Sequence, residues 1–267
     1  VAELQRDLGN EDKTIEYYKI ALNLKGDKND LYFKLASLYF ERKEFLFAKD
    51  MYIKCIETGE INFDIYKNIA TCYEKNGDFE RSLHFYNEAL KLKDGDIDCL
   101  FGQASSYEGM GKLEEAMHYY RMIRGIAPQD SRLFYYFGRY SLKTGNIQEA
   151  LQYLQSSMTI NPDFAYSFYE IGHYWIKEGN FDNALQYYSR AVTLEPKDIN
   201  LNKTMGDMLI SQGRYTEALP YYEKILELDP ENKDINLLAG EIYFNNKDYE
   251  KSFICYEKVI NKDPENS

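Results

Sequence analysis

Apolar residues along this chain recur at helical spacing in short runs, and the runs are interrupted at regular intervals. In residues 165–198 the segment AYSFYEIGHYWIKEG carries Phe168, Ile171, Trp175 and Ile176, the stripe of an amphipathic helix. Gly179 then supplies a left-handed C-terminal stop. Asn180 suits an N-cap and Asp182 the acid-favouring first turn of a new helix. That second helix, DNALQYYSRAVTL, runs toward Pro196, which prevents its continuation. The segment therefore predicts a helical hairpin.

The hairpin returns with a step of 34 residues. Pro128, Pro162, Pro196, Pro230 and Pro264 keep that step, as do Gly77, Gly111, Gly145, Gly179 and Gly213. A column of small residues runs Ala2, Ala36, Ala70, Ala104, Gly138, Gly172, Gly206, Gly240. A second runs Thr14, Ala48, Ser82, Ala116, Ala150, Ala184, Ala218, Ser252. Four residues further on stand Tyr18, Tyr52, Tyr86, Tyr120, Leu154, Tyr188, Tyr222 and Tyr256. We expect the small residues, Gly172 and Ala184 for example, to mark the closest crossing of the two helices, where bulk would force them apart. No insertion interrupts the series, which divides residues 1–267 into one array: a partial repeat 1–28, then 29–62, 63–96, 97–130, 131–164, 165–198, 199–232 and 233–266.

This pattern resembles the tetratricopeptide repeat family. The resemblance rests on the step, the small, aromatic and proline columns, and the aromatic three residues after the first small column (Tyr39, Tyr73, Tyr107, Trp175, Tyr243). Ser141 and Leu209 depart from that aromatic, Leu154 from the tyrosine column, and Gly26, Glu60 and Asp94 from proline, which suggests looser turns between the N-terminal repeats. The resemblance implies an all-α solenoid: a right-handed superhelix of antiparallel helix pairs whose first helices line a concave groove. Each repeat then touches only its neighbours, and the ends need polar caps.

Composition narrows the function. The chain has 32 Lys+Arg against 44 Asp+Glu, a formal net charge of −12, which argues against general binding of nucleic acid or anionic membrane. No apolar run approaches the ~20 residues of a membrane span, so no membrane insertion is expected. Cys55, Cys72, Cys99 and Cys255 form no CxxC pair, and His84, His118 and His173 are scattered among them. We expect no metal, no disulfide framework and no cofactor, with the cysteines acting as small buried hydrophobes in a reducing compartment. An intracellular, cytoplasmic protein follows, with nuclear and ciliary settings open. The glycines of EGMGKLEEA (108–116) lack phosphate-loop spacing, and no Ser–His or Cys–His pairing stands out. We expect no catalysis.

One stretch exceeds what the repeat requires. SRLFYYFGRY (131–140) sets four aromatics in a row, and one helix face cannot bury all of them. Phe134 and Phe137 share the columns of Phe168 and Ile171 and are expected in the core. Tyr135 and Tyr136 occupy variable columns, which the resemblance places on the groove or its edge together with Arg132, Arg139, Tyr166, Tyr169 and His173. Repeat 131–164 is also the one repeat with net positive charge, with Arg132, Arg139 and Lys143 against Glu149 and Asp163. Tyr and Arg dominate binding hot spots. These seven residues are the candidate partner-binding site, for an extended or helical peptide bearing acidic and apolar groups. The alternative is that the tyrosines merely pack against the adjacent first helix.

Two groove chemistries of the family are not expected. A chaperone-binding carboxylate clamp would need pairs that Lys67/Thr71, Lys203/Asp207 and Arg132/Tyr136 do not form. An asparagine ladder would need more than Asn68 in its column. The resemblance points to a scaffold or adaptor within a multiprotein assembly; the alternative is the recruiting arm of an enzyme whose catalytic domain lies elsewhere. The chain starts without Met and in mid-helix, so we expect an excerpt. The last helix presents Phe253, Tyr256, Val259 and Ile260, which call for a further cap or, alternatively, self-association through that face.

Overall fold

The computed structural model describes residues 1–24 and 28–262. Gly26 and Pro264, named above for the proline column, lie outside the described residues. Among those residues the chain is all α-helix, without a strand. The helices come in pairs: α1 (Ala2–Asp7) with α2 (Glu11–Leu22), α3 (Asn29–Glu41) with α4 (Phe45–Glu57), α5 (Phe63–Lys75) with α6 (Phe79–Leu92), and α7 (Ile97–Gly109) with α8 (Leu113–Ile126). Then follow α9 (Ser131–Lys143) with α10 (Ile147–Ile160), α11 (Ala165–Lys177) with α12 (Phe181–Leu194), α13 (Ile199–Ser211) with α14 (Tyr215–Leu228), and α15 (Lys233–Asn245) with α16 (Tyr249–Lys262). The chain forms two compact units, Val1–Gln129 and Asp130 onward.

Local chemistry sets the boundaries. Side chains of Asn62, Asp78, Asp96, Asp130, Asn180, Asp198 and Asn232 accept backbone N–H groups of the first turn that follows, satisfying donors that have no partner inside the helix. The turn inside each pair needs one left-handed residue. Gly77, Gly111, Gly145, Gly179 and Gly213 supply it, but in two pairs a lysine does, Lys43 at φ 60° and Lys247 at φ 62°.

Each second helix packs against the first helix of its own pair, and within each unit α2, α4, α6, α10, α12 and α14 also pack against the first helix of the next pair. The second small column and the tyrosine column through Tyr222 are buried throughout. In the first unit Tyr18, Leu35, Tyr52, Ile65 and Ile69 share one apolar cluster. In the second, Tyr188, Met205, Tyr222, Ile225 and Ile235 share another.

At the glycines of the small column, what an added methyl would meet first is a side chain of the paired helix. A Cβ on Gly172 would lie 2.7 Å from Cδ1 of Tyr188 on the facing helix α12. Gly206 stands in the same relation to Tyr222, and Gly240 to Tyr256. The glycine thus makes room for an inserted aromatic ring. At Gly138 facing backbone also takes part: its Cβ would meet Leu154 Cγ at 2.7 Å and the Ala150 carbonyl at 3.2 Å.

The four adjacent aromatics also sort differently. Phe137 is buried as expected, whereas Phe134 is half-buried, its ring 6.4 Å from that of Tyr153. Leu133 and Tyr135 are buried in its place. The cause lies in the loop before α11. Position 164, where Asn62, Asp96, Asp130, Asp198 and Asn232 cap their helices, holds Phe164, which makes no side-chain cap. Its ring sits edge-on to Tyr135 at 5.2 Å. A capping bond is given up and an aromatic lid is gained over α9. Trp175 and Ile176 are likewise half-buried rather than core.

Candidate functional site

On a helix, residues four apart share a face, and residues one repeat apart occupy equivalent positions. Both rules converge at α9 and α11, first helices that touch each other. Arg139 and Lys143 lie four apart on α9, His173 and Lys177 four apart on α11. A cleft of about 330 Å³ opens between the two helices, lined by these four residues with Leu142, Ile147, Glu170, Tyr174 and Glu178. Neither Lys143 nor Lys177 forms an ion pair among the described residues. Arg139 Nε lies 3.2 Å from Glu170 Oε1, a pair both of whose members are largely sheltered. The cleft thus joins three permanent cations to two carboxylates, with an apolar floor at Leu142 and Ile147.

Of the seven residues singled out in the sequence, Arg139 and His173 line this cleft. Tyr135 is buried and packs on Tyr136, Phe164 and Tyr166 with centroids 4.9, 5.2 and 6.3 Å away. Tyr136 is half-buried beside it, and the Arg139 guanidinium lies over both rings, at 5.5 and 5.9 Å. Arg132 is held at the start of α9 by the cap Asp130, Nη2 to Oδ2 2.7 Å. Tyr166 is 38% exposed and donates its hydroxyl to Asp198 Oδ2 at 2.7 Å. Tyr169 lies parallel to His173 at 6.2 Å and against Tyr188 at 5.6 Å.

The His173 imidazole is held below its ordinary pKa, first by desolvation among these rings and then by the Lys177 charge. Its edge still reaches solvent. Its Nδ1 is 3.4 Å from the Tyr188 hydroxyl. At neutral pH the ring is therefore neutral, able to donate or accept a hydrogen bond at the cleft rim.

Lys143, Lys177, Glu170, Tyr174 and Ile147 were not among the expected site residues. The signal for the lysines was present: Lys143 and Lys177 are one repeat step apart, each four residues beyond a basic or imidazole side chain. Glu170 has no such signal, because its tie to Arg139 depends on how closely two helices approach.

Elsewhere, burial pushes the thiols of Cys55, Cys72 and Cys99 up to about 12, leaving them protonated and inert. Among the described residues no His, Cys, Asp and Glu cluster is placed to hold a metal ion, and no helix is long and apolar enough to cross a membrane. On α16, Phe253 is 65% exposed, Ile254 and Ile260 are also exposed, and Tyr256 and Val259 are half-covered.

An all-α fold of repeated hairpins carrying a side-chain-lined cleft between first helices is that of a helical-repeat interaction protein. Four models described as tetratricopeptide repeat match residues 63–96, 98–130, 165–198 and 209–267. The chain belongs to the tetratricopeptide repeat family. Proteins of this family bind protein or peptide partners and are in general non-catalytic scaffolds. No curated protein matches the chain.

Among solved structures, that of PilF from Pseudomonas aeruginosa is similar at 18% identity, over 76% of this chain and 92% of that one, with a TM-score of 0.56. A thermophilic tetratricopeptide repeat protein of Thermus thermophilus is 20% identical over 68% of this chain and 99% of its own, TM-score 0.55. One from Parabacteroides merdae is 18% identical over 88% and 93%, TM-score 0.50. At these identities the likeness is one of fold.

Proposed function

We propose that this chain is a non-catalytic adaptor that holds a peptide segment of a partner protein on the face of its first helices, within a larger assembly. The observation that carries the reading is the cleft between α9 and α11, with Arg139, Lys143, His173 and Lys177 around an apolar floor. An acidic side chain flanked by apolar ones complements it in charge and in surface. Tyr166 and Tyr169 border the same face, and Tyr135 and Tyr136 hold Arg139 from beneath. The repeat step continues unbroken through residues 129 and 130, which supports reading the chain as one array. Buried, protonated thiols suit an intracellular compartment.

The test uses the whole chain and a panel of fluorescein-labelled dodecapeptides graded in acidic and apolar content, read by fluorescence polarisation. Acidic-apolar peptides bind the parent chain, and the double variant Arg139→Glu/Tyr169→Ala binds them at least tenfold more weakly with its thermal midpoint kept. Equal affinity in a folded double variant refutes the reading.

A further inference from the structure

The tyrosine column does more than fill space. Five of its hydroxyls end on the residue fifteen positions earlier, on the first helix of the same pair. Tyr18 donates to Glu3 Oε1 at 2.9 Å and Tyr222 to Asp207 Oδ1 at 2.8 Å. Tyr52 meets Ser37 at 3.3 Å, Tyr86 meets Thr71 at 3.2 Å while donating to Glu74 Oε2 at 2.8 Å, and Tyr188 meets His173 at 3.4 Å. Two of the rings also reach the next first helix. Asn68 of α5 donates to the Tyr52 hydroxyl at 3.0 Å. A Cβ on Gly102 of α7 would fall 2.3 Å from the Tyr86 oxygen. In those pairs a phenol closes the seam between adjacent first helices.

At α9 and α11 the column holds Leu154, and the residue fifteen before it is Arg139. Leu154 is fully buried and ends in the apolar cluster that includes Leu142, part of the cleft floor. The column therefore sends no phenol to this seam. Arg139 instead spans it to Glu170, which occupies the column of Asn68 and Gly102. The cleft opens at that point.

We propose that Leu154 is the specificity-determining residue of the peptide site: by ending short, it leaves between α9 and α11 an opening that admits one carboxylate side chain of an acidic partner segment, met by Lys143, Lys177 and Arg139. The inference rests on the peptide reading above and deepens it. Charge complementarity selects the occupant, since the cleft carries one more permanent cation than carboxylates while the whole chain is at −12. The position is set by the shortened side chain, because a tyrosine at 154 directs its hydroxyl at the Arg139–Glu170 pair.

Leu154→Tyr tests this, with acetyl-Leu-Glu-Leu-amide and acetyl-Leu-Gln-Leu-amide titrated into the ¹⁵N-labelled full chain. In the parent, the Glu peptide moves the amides of Lys143, His173 and Lys177, and the Gln peptide binds at least tenfold more weakly. In Leu154→Tyr, Glu-peptide affinity falls at least tenfold while the thermal midpoint is kept. Parent-like binding by folded Leu154→Tyr, or parent shifts confined to α13 and α15, overturns the inference and leaves the peptide reading standing. No shift by either peptide at millimolar concentration overturns both. If Leu154→Tyr does not fold, Arg139→Ser/Leu154→Tyr, which copies the Ser37–Tyr52 pair, is compared with Arg139→Ser. The double variant must then bind at least tenfold more weakly than the single one, and equal binding overturns the inference.

Discussion

The same substitution at two glycines, Gly138→Ala and Gly125→Ala, is expected to change stability in opposite directions. Both glycines lie within helices, α9 and α8. Alanine stabilises a helix interior by about 0.5–1 kcal/mol over glycine, because less backbone entropy is lost. At Gly125 nothing lies within 4 Å of the added methyl, so that gain is the whole effect. At Gly138 the methyl would stand 2.7 Å from Leu154 Cγ, 2.9 Å from its Cδ2 and 3.2 Å from the Ala150 carbonyl. Ordinary carbon contacts are about 3.5–4.0 Å. Leu154 is fully buried and cannot swing outward, and the carbonyl belongs to a helix. Overpacking of this kind costs about 1–3 kcal/mol, which exceeds the helical gain.

Gly138→Ala should therefore be destabilising by about 1–2 kcal/mol and Gly125→Ala stabilising by about 0.5 kcal/mol. Repeat proteins open locally, so the readout is native-state hydrogen exchange of the α9–α10 and α7–α8 amides, with circular-dichroism melting as the global measure. A rise in protection at α9–α10 on Gly138→Ala would refute the argument that this glycine exists to admit Leu154.

Three further outcomes follow from named contacts. Lys43→Gly and Lys247→Gly should each be stabilising by about 1 kcal/mol, since an L side chain at φ near 60° is strained; lower melting temperatures would count against this. Asp198→Ala removes the cap on Leu201 N and the acceptor for Tyr166, a loss of about 1–2 kcal/mol. Asp198→Asn should recover most of it, with exchange at the start of α13 as the measure. His173 has its folded pKa below the ordinary 6.5, so it contributes stability above that value and loses it as the pH falls toward the folded pKa. Unfolding free energy should climb as the pH rises from the folded pKa through the ordinary 6.5, and His173→Gln should flatten the climb. Lys177→Gln should move the imidazole midpoint in NMR upward only in part, because desolvation is the larger cause.

The helices and their turns were legible because the chain states them repeatedly. Glycine, proline and small columns in one register leave no other periodicity to compete. What they did not reveal was the partner of each small residue, since Gly172 looks the same whether it faces backbone or a ring. The buried aromatics of 131–140 were misassigned for a related reason. Column position predicts the face toward the paired helix, but Tyr135 is covered by a loop residue, Phe164, at a position that five other repeats give to an Asn or Asp cap. Of the candidate site, Arg139 and His173 were found through charge and column. Glu170 was not, because an ion pair across two helices has no fixed spacing.

The abundance of tyrosine, 26 in all, acquires a partial explanation in the fifteen-residue pairing. Its first-helix partners are Glu3, Ser37, Thr71, His173 and Asp207. As letters they form no motif, yet each carries an acceptor atom beside the phenol, a rule of atom type at a fixed place rather than of residue type, even at Tyr86, whose proton goes to Glu74. Arg139 breaks that rule, having five donors and no acceptor, and it does so where the column itself departs to Leu154. Two departures that look independent in the sequence are thus one: a cation that can take no phenol proton stands where no phenol arrives. On the peptide reading proposed above, the charged cleft between α9 and α11 lies where the column omits its phenol.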